Sequence, residues 1–312
     1  MEVRSLLQFA RFKPLAAWSL SGSAVGVALA FFLGGGSVLN VVPMALAICC
    51  VVLMQYVAHP MNDIMDYDLD RNALIGETGR HKPLVDGSAT LSEVKRLSIA
   101  VVALVLIILA YLVLIQPVLA LPAAYGLVAL FGYNHPQLRW AYRPFTELYL
   151  SMPINALAVF VIAFIGSGAV TGTSVVMSVV FGFASSTFFV SMMSMDYPSD
   201  VRHRKWTTVA IAPALRYCTL YPLLGLVLAA VSLPVLISEL GAVPALAYLS
   251  VTGVVLSLLA WYGSKVDGLR HRYLRGEVTD MEGRSGDVRL RQLYLSVGYA
   301  AVLVAFFVWM GV

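Results

Sequence analysis

Apolar stretches of spanning length recur along the chain, at roughly 15–34, 38–58, 94–115, 117–133, 146–167, 173–195, 208–237, 243–263 and 292–311. A bilayer core takes about 20 apolar residues per helix, so each stretch predicts one membrane-spanning helix and the chain predicts nine. Turn residues mark several breaks: GGGS at 34–37, QP at 116–117, GSGAVTGTS at 166–174 and LGAVP at 240–244. No strand-like alternation interrupts the pattern. The expectation is an all-α integral membrane protein, with residues 1–312 forming a single transmembrane domain.

The polar positions give this bundle a direction. All 21 Lys and Arg fall in the N-terminal segment or in the even-numbered connections. The odd-numbered connections carry none, and of 17 acids only Glu239 lies there. Under the positive-inside rule the N-terminus and the charged loops are cytoplasmic and the C-terminus is outside. Cytoplasmic cap loops are therefore expected at about 59–93, 134–145, 196–207 and 264–291.

Composition agrees and excludes other classes. The 312 residues are 60% hydrophobic and 12% charged, against about 25% charged in a soluble domain. A nucleic-acid partner is not expected. Three cysteines, with Cys49 and Cys50 adjacent in an apolar run, form neither a disulfide framework nor a metal spacing. The opening MEVRSLLQFARFKPLAAW has a basic flank without a small-residue cleavage site, and reads as the lead-in to a retained first helix.

Against this apolar background two acidic clusters stand out. HPMNDIMDYDLDR continues the second helix, and its Asn62, Asp66 and Asp70 share a helical face at i, i+4, i+8, with Asp63 beside it. Asp68 lies off that face and reads as solvated. SMMSMDYPSDVRHRKW continues the sixth helix and places Asp196 and Asp200 at i, i+4. Carboxylates at that spacing repel, so two such faces at one membrane side make sense with a metal between them. All-oxygen ligands, without Cys and with no His in the repeating face, favour Mg²⁺. Basic residues follow each cluster: Arg80, His81 and Lys82, then Arg202, Arg204 and Lys205. Acids holding Mg²⁺ beside Lys and Arg form a cradle for a diphosphate, although positive-inside topology alone also supplies basic residues there. A transporter would place its acids at the midplane; these sit at helix ends.

NDIMDYDLDR resembles the NDxxDxxxD motif of the UbiA superfamily of intramembrane prenyltransferases, and DYPSD resembles its second DxxxD motif. GRHKPLVDGSATLSE is similar to the segment after the first motif, and FKP at 12–14 to an N-terminal R-P. YNHPQLRWAYRPFTEL at 133–148 and DYPSDVRHRKWTTVA are similar to the menaquinone-type branch, which is 1,4-dihydroxy-2-naphthoate polyprenyltransferase-like.

The resemblance implies nine helices around a central cavity that opens to a cytoplasmic cap. It implies Mg²⁺ held by Asn62, Asp66, Asp70, Asp196 and Asp200. Arg80, Lys82, Arg204, Lys205 and Lys13 would contact the diphosphate, and Tyr67, Tyr133, Asn134, Tyr142 and Tyr197 would surround the isoprenoid carbocation. Asp63 would orient a ligand or act as a base, His135 would deprotonate a phenolic acceptor or serve only as a polar contact, and Glu147 would orient that acceptor or serve as a helix-start acid. The implied activity is Mg²⁺-dependent transfer of an isoprenyl group from its diphosphate to a small, aromatic acceptor, as in quinone or prenyl-lipid biosynthesis.

The chain departs from that branch at Met192 (asparagine there), and at Arg204 and Thr146 (glycine there). The spacing of Asp66 and Asp70 is more similar to the ubiquinone and chlorophyll side of the superfamily. These differences surround the acceptor region, so the alternative is a terpene cyclase, in which the carbocation is captured by its own chain. The last cytoplasmic loop is expected to be a lid, a contact with anionic headgroups, or a solvated connector.

Overall fold

A computed structural model describes residues 3–72, 82–281 and 283–312, and no strand occurs among them. The long helices are α1 (Phe12–Leu33), α2 (Val41–Met65), α3 (Leu91–Ile115), α4 (Pro117–Asn134), α5 (Glu147–Ser167) and α6 (Gly172–Met195). They continue as α7 (Tyr217–Val231), α8 (Leu233–Leu240), α9 (Ala242–Leu274) and α10 (Ser285–Gly311). Among the described residues eight of these are long and apolar enough to cross a membrane. The pair α7 and α8 makes a ninth span if counted together, bent by 51°. The bend has a local cause. α7 stops at Ser232, and Pro234 opens α8 at a position where its missing N–H is no loss.

α6 lies at the centre, packed by α5, α7, α9 and α10. It is rich in small residues, and Gly182 shows why. A Cβ there would come within 2.6 Å of the Met152 carbonyl oxygen on α5, and small residues let helices in lipid approach this closely. Gly263 does the same for α9 against α7, where a Cβ would meet the Cys218 carbonyl oxygen at 2.1 Å. The start of α6 is doubly capped. Thr171 and Ser174 form a reciprocal capping pair, and Glu239 of α8 accepts from the N–H groups of Gly172 (2.8 Å) and Thr173 (2.7 Å). The single acid on that side of the bundle thus satisfies helix-end donors that would otherwise lack partners.

Four boundaries on the charged side differ most from the hydropathy pattern: the stretch expected from 208 starts its long helix only at Tyr217, after a short helix at Thr208–Ile211, and three others shift outward. α2 runs to Met65 and carries Asn62 and Asp63 as helix. α9 runs to Leu274, and α10 begins at Ser285. The expected cap loop at 264–291 therefore shrinks to a connection of about ten residues. Charge ends a hydropathy window, but it does not end a helix.

α9 persists because its polar end is internally satisfied. Arg270 and Asp267 are both fully buried and lie 2.9 Å apart. Asp267 accepts from the N–H groups of Cys218 (3.3 Å) and Thr219 (3.0 Å), capping α7. Arg270 donates to the carbonyls of Pro213 and Leu215 and to the Ser194 hydroxyl on α6.

Candidate active site

α2 and α6 end alike. Asp66 (φ −92°, ψ 7°) and Asp196 (φ −84°, ψ 0°) close the two helices, and each donates its N–H to the carbonyl four residues back, that of Asn62 or Met192. A short helix follows each, Tyr67–Arg71 and Tyr197–Arg202. Within them Asp70 and Asp200 donate their N–H to the carbonyls of Asp66 and Asp196, each at 2.8 Å. The cause is a repeat in the sequence: MDYDLD at 65–70 and MDYPSD at 195–200 share Met-Asp-Tyr-x-x-Asp.

Both clusters line one cavity of about 880 Å³. Its charged end is formed by Asn62, Asp63, Asp66, Asp70, Asp196 and Asp200, together with Arg11, Lys13, Lys82, Lys205 and Arg289. Its interior is mainly apolar, walled by α1 to α6, with Ser19, Gln55, Ser151 and Asn155 among the polar side chains on that wall. Trp18 lies 5.4 Å from Phe188 and 6.0 Å from Phe189, ring centre to ring centre, on that wall.

Asp63, Asp66, Asp70 and Asp200 are buried, which is costly for charges without partners. The guanidinium of Arg11 binds Asp63. Lys82 bridges Asp63 (3.2 Å) and Asp70. Lys205 lies 3.6 Å from Asp66, and Arg289 pairs with the half-buried Asp196. Four of the five cations at this end thus pair with carboxylates, and Lys13 is the fifth.

The protonation equilibria follow from this arrangement. Burial pushes the Asp200 carboxyl up to about 7, although Lys205 opposes it. Burial also raises Asp70 against the pull of Lys82. At Asp66 burial is again the largest influence, but Lys205, Lys82 and hydrogen bonds from Tyr142 and Asn62 together outweigh it and lower the pKa. Burial disfavours the Lys205 ammonium, but Asp66 and Asp200 more than offset that and hold it charged. Burial raises the Tyr142 phenol, so it stays protonated and donates to Asp66.

The sequence-predicted residues divide into two groups. Asn62, Asp63, Asp66, Asp70, Asp196, Asp200, Lys82, Lys205, Lys13 and Tyr133 all line the cavity. Tyr142 joins them through Asp66, with Lys205 4.7 Å from its ring centre.

The remaining sequence-predicted residues lie elsewhere. Glu147 is fully buried away from the cavity, its oxygens accepting from Thr208 (2.8 Å) and Tyr221 (2.7 Å); it ties the start of α5 to α7. His135 is exposed, its ring nitrogen accepting from the Gln137 N–H. Asn134 is buried and donates back to the Leu130 carbonyl. Tyr67 packs against Phe9, Leu84 and Val94, and Tyr197 lies edge-on to Tyr273. Arg204 is exposed outside the cavity, at φ 55°. That left-handed turn is a backbone conformation that glycine adopts without strain. Arg80 lies outside the described residues.

Two cations at the site escaped the sequence reading. Arg11 sits two residues before Lys13 of the N-terminal FKP. Arg289 is distant in sequence from both acidic clusters. Either could have been found only by asking which basic residue answers each buried acid.

The donor set fits a hard divalent cation: carboxylate and amide oxygens from two helix ends facing one space. Among the described residues no three acidic, His or Cys side chains converge on one ion-sized point. Mg²⁺ needs no such cage, because it keeps several waters and binds through one or two carboxylates plus phosphate oxygens.

The UbiA prenyltransferase family profile matches residues 23–272. Solved structures share the architecture at low identity. A UbiA homologue from Archaeoglobus fulgidus bound to GPP and Mg²⁺ is 17% identical with TM-score 0.59, the alignment covering 96% of this chain and 99% of that one. An apo UbiA homologue from Aeropyrum pernix K1 is 19% identical with TM-score 0.52, covering 92% and 96%. A digeranylgeranylglyceryl phosphate synthase is 13% identical with TM-score 0.58, covering 97% and 98%. No curated protein sequence matches the chain significantly.

Proposed function

The chain belongs to the UbiA prenyltransferase family, and from that premise we propose that it ionises an isoprenyl diphosphate with the help of Mg²⁺ and transfers the isoprenyl group to a small, aromatic acceptor. The observation that carries this reading is the polarity of the cavity. Two acidic helix ends and five cations crowd one end, and the rest is mainly apolar and aromatic. A diphosphate with a hydrocarbon tail has the same polarity. The A. fulgidus homologue bound to GPP and Mg²⁺ supports the same ligand class.

In this reading Asn62, Asp66, Asp70, Asp196 and Asp200 hold the cation. When bound, Mg²⁺ supplies neutralisation of the diphosphate oxygens as the allylic C–O bond breaks. Lys82, Lys205, Arg11 and Arg289 exchange carboxylate partners for diphosphate oxygens, and Lys13 joins them at the rim. Tyr142 and Asn62 hold Asp66 in position through its two oxygens. The apolar wall excludes water, and the faces of Trp18, Phe188 and Phe189 stabilise positive charge on the chain. The charged end faces the cytoplasm, in keeping with the positive-inside asymmetry.

One observation favours the cyclase alternative. His135 and Glu147, assigned to the acceptor, do not line the cavity, whereas the aromatic wall that would shelter a longer-lived cation does. The test is to incubate purified protein with Mg²⁺ and geranyl, farnesyl or geranylgeranyl diphosphate, with and without an aromatic acid, and to analyse the organic extract by mass spectrometry. A prenylated acid formed only when the acceptor is added supports transfer. A cyclic hydrocarbon or terpene alcohol without acceptor would replace that reading with cyclisation.

A further inference from the structure

We propose that a basic cleft between α9 and α10 is a binding site for the phosphate group of an anionic membrane phospholipid. The cleft has a volume of about 660 Å³ and lies between the end of α9, the residue preceding α7 and the first turns of α10. Arg216, Lys265, Arg272, Arg275, Arg284 and Arg291 line it, with a single acid among the described residues, Asp287. That acid is already held by Arg291, 3.0 Å away. Glu277 answers Arg275 and lies 3.7 Å from Arg272. Arg216 and Arg284 have no carboxylate partner among the described residues. Gathering this many cations in a concave space is unfavourable unless an anion enters it, and guanidinium groups meet phosphate oxygens two at a time.

The cleft is separate from the catalytic cavity. None of its six basic residues lines that cavity, whereas Arg289, from the same turns of α10, does. The two sites share one end of the bundle.

The surface below the cleft identifies the ligand as a lipid. Val254, Leu258 and Trp261 are 63%, 47% and 59% exposed and follow one another at i, i+4, i+7 on one face of α9. Lys265 and Arg272 continue that face at i+11 and i+18. The stripe thus passes from lipid-facing aliphatic residues, through a tryptophan at the level where headgroups begin, into the cations. Lys265 lies 3.5 Å from the centre of the Trp261 ring, which fixes the boundary. A phosphodiester in the cleft places its acyl chains along Val254 and Leu258. A soluble phosphate would use only the upper half of this surface.

Native mass spectrometry of the full chain in detergent, titrated with phosphatidylglycerol or phosphatidylcholine, tests the site. Phosphatidylglycerol is expected to bind more tightly than phosphatidylcholine and to resist displacement by inorganic phosphate. Arg216→Gln/Arg284→Gln is expected to weaken it about 30-fold, which is about 2 kcal/mol at about 1 kcal/mol per basic residue near an anionic headgroup. Lys265→Gln provides an independent variant, with an expected loss of about fivefold on the same scale. Lys95→Gln/Arg96→Gln removes the same charge from an exposed helix start elsewhere and should change nothing. Equal loss in the two double variants, or none in Arg216→Gln/Arg284→Gln, would overturn the site. Full displacement by inorganic phosphate with no preference between the lipids would overturn the lipid as its ligand.

Discussion

Lys205, from the segment after the second acidic cluster, places its Nζ 3.6 Å from an Asp66 oxygen in the first. The same ammonium sits over the Tyr142 ring, and the Tyr142 hydroxyl donates to the other Asp66 oxygen. One lysine thus joins the two clusters and a third connection. Lys205→Ala is expected to lower kcat/KM for the diphosphate by about 10²- to 10³-fold, as for loss of one preorganised charge stabiliser, while Lys205→Arg keeps part of the activity. Activity of the alanine variant within threefold of wild type would remove Lys205 from the site.

The two acidic helix ends should be equally indispensable. Asp66→Ala and Asp196→Ala are each expected to abolish turnover and leave the helical circular dichroism unchanged, since each residue lies at the end of its helix. Chelating divalent cations in the wild type should have the same effect, reversed by Mg²⁺. Near-wild-type turnover in either variant contradicts the ligand assignment.

Glu147 makes the opposite prediction. Its carboxylate is fully occupied by Thr208 and Tyr221 outside the cavity. Glu147→Gln should therefore reduce thermal stability, by about 1–3 kcal/mol for weakened buried hydrogen bonds, with kcat/KM changed less than about threefold at a temperature where the variant is folded. His135→Ala should be nearly silent in both measurements. A large loss of kcat in either variant, without loss of fold, would return that residue to catalysis.

The sequence made some of this arrangement readable and hid the rest, for identifiable reasons. Long apolar runs reveal the spanning helices because a bilayer punishes exceptions. Paired i, i+4 carboxylates were visible because nothing else in such an apolar chain explains them. Glu147 and Tyr197 misled the reading because proximity to a motif in sequence says little about which way a side chain points. Arg11 and Arg289 were missed because an ion pair across 52 or 93 residues leaves no local pattern. The continuation of α9 was hidden by its own buried charges, Asp267 and Arg270.

That buried pair carries a stability prediction. Arg270 is fully enclosed, bound to Asp267 and to groups on two other segments. Arg270→Ala leaves Asp267 buried without its cation and is expected to cost about 3–5 kcal/mol. Thermal unfolding in detergent should show a clear fall in midpoint, and Arg270→Lys should recover only part of it, because it cannot reproduce the forked contacts. An unchanged midpoint would show that the end of α9 is held by other contacts.

The most direct test of the central claim needs no acceptor. Equilibrium binding of geranyl diphosphate to the wild type should be at least tenfold tighter with Mg²⁺ than with EDTA, and Asp66→Ala and Asp196→Ala should each lose that enhancement. Binding that is equally tight in EDTA, or still enhanced by Mg²⁺ in both variants, would contradict a diphosphate site built on the two acidic helix ends.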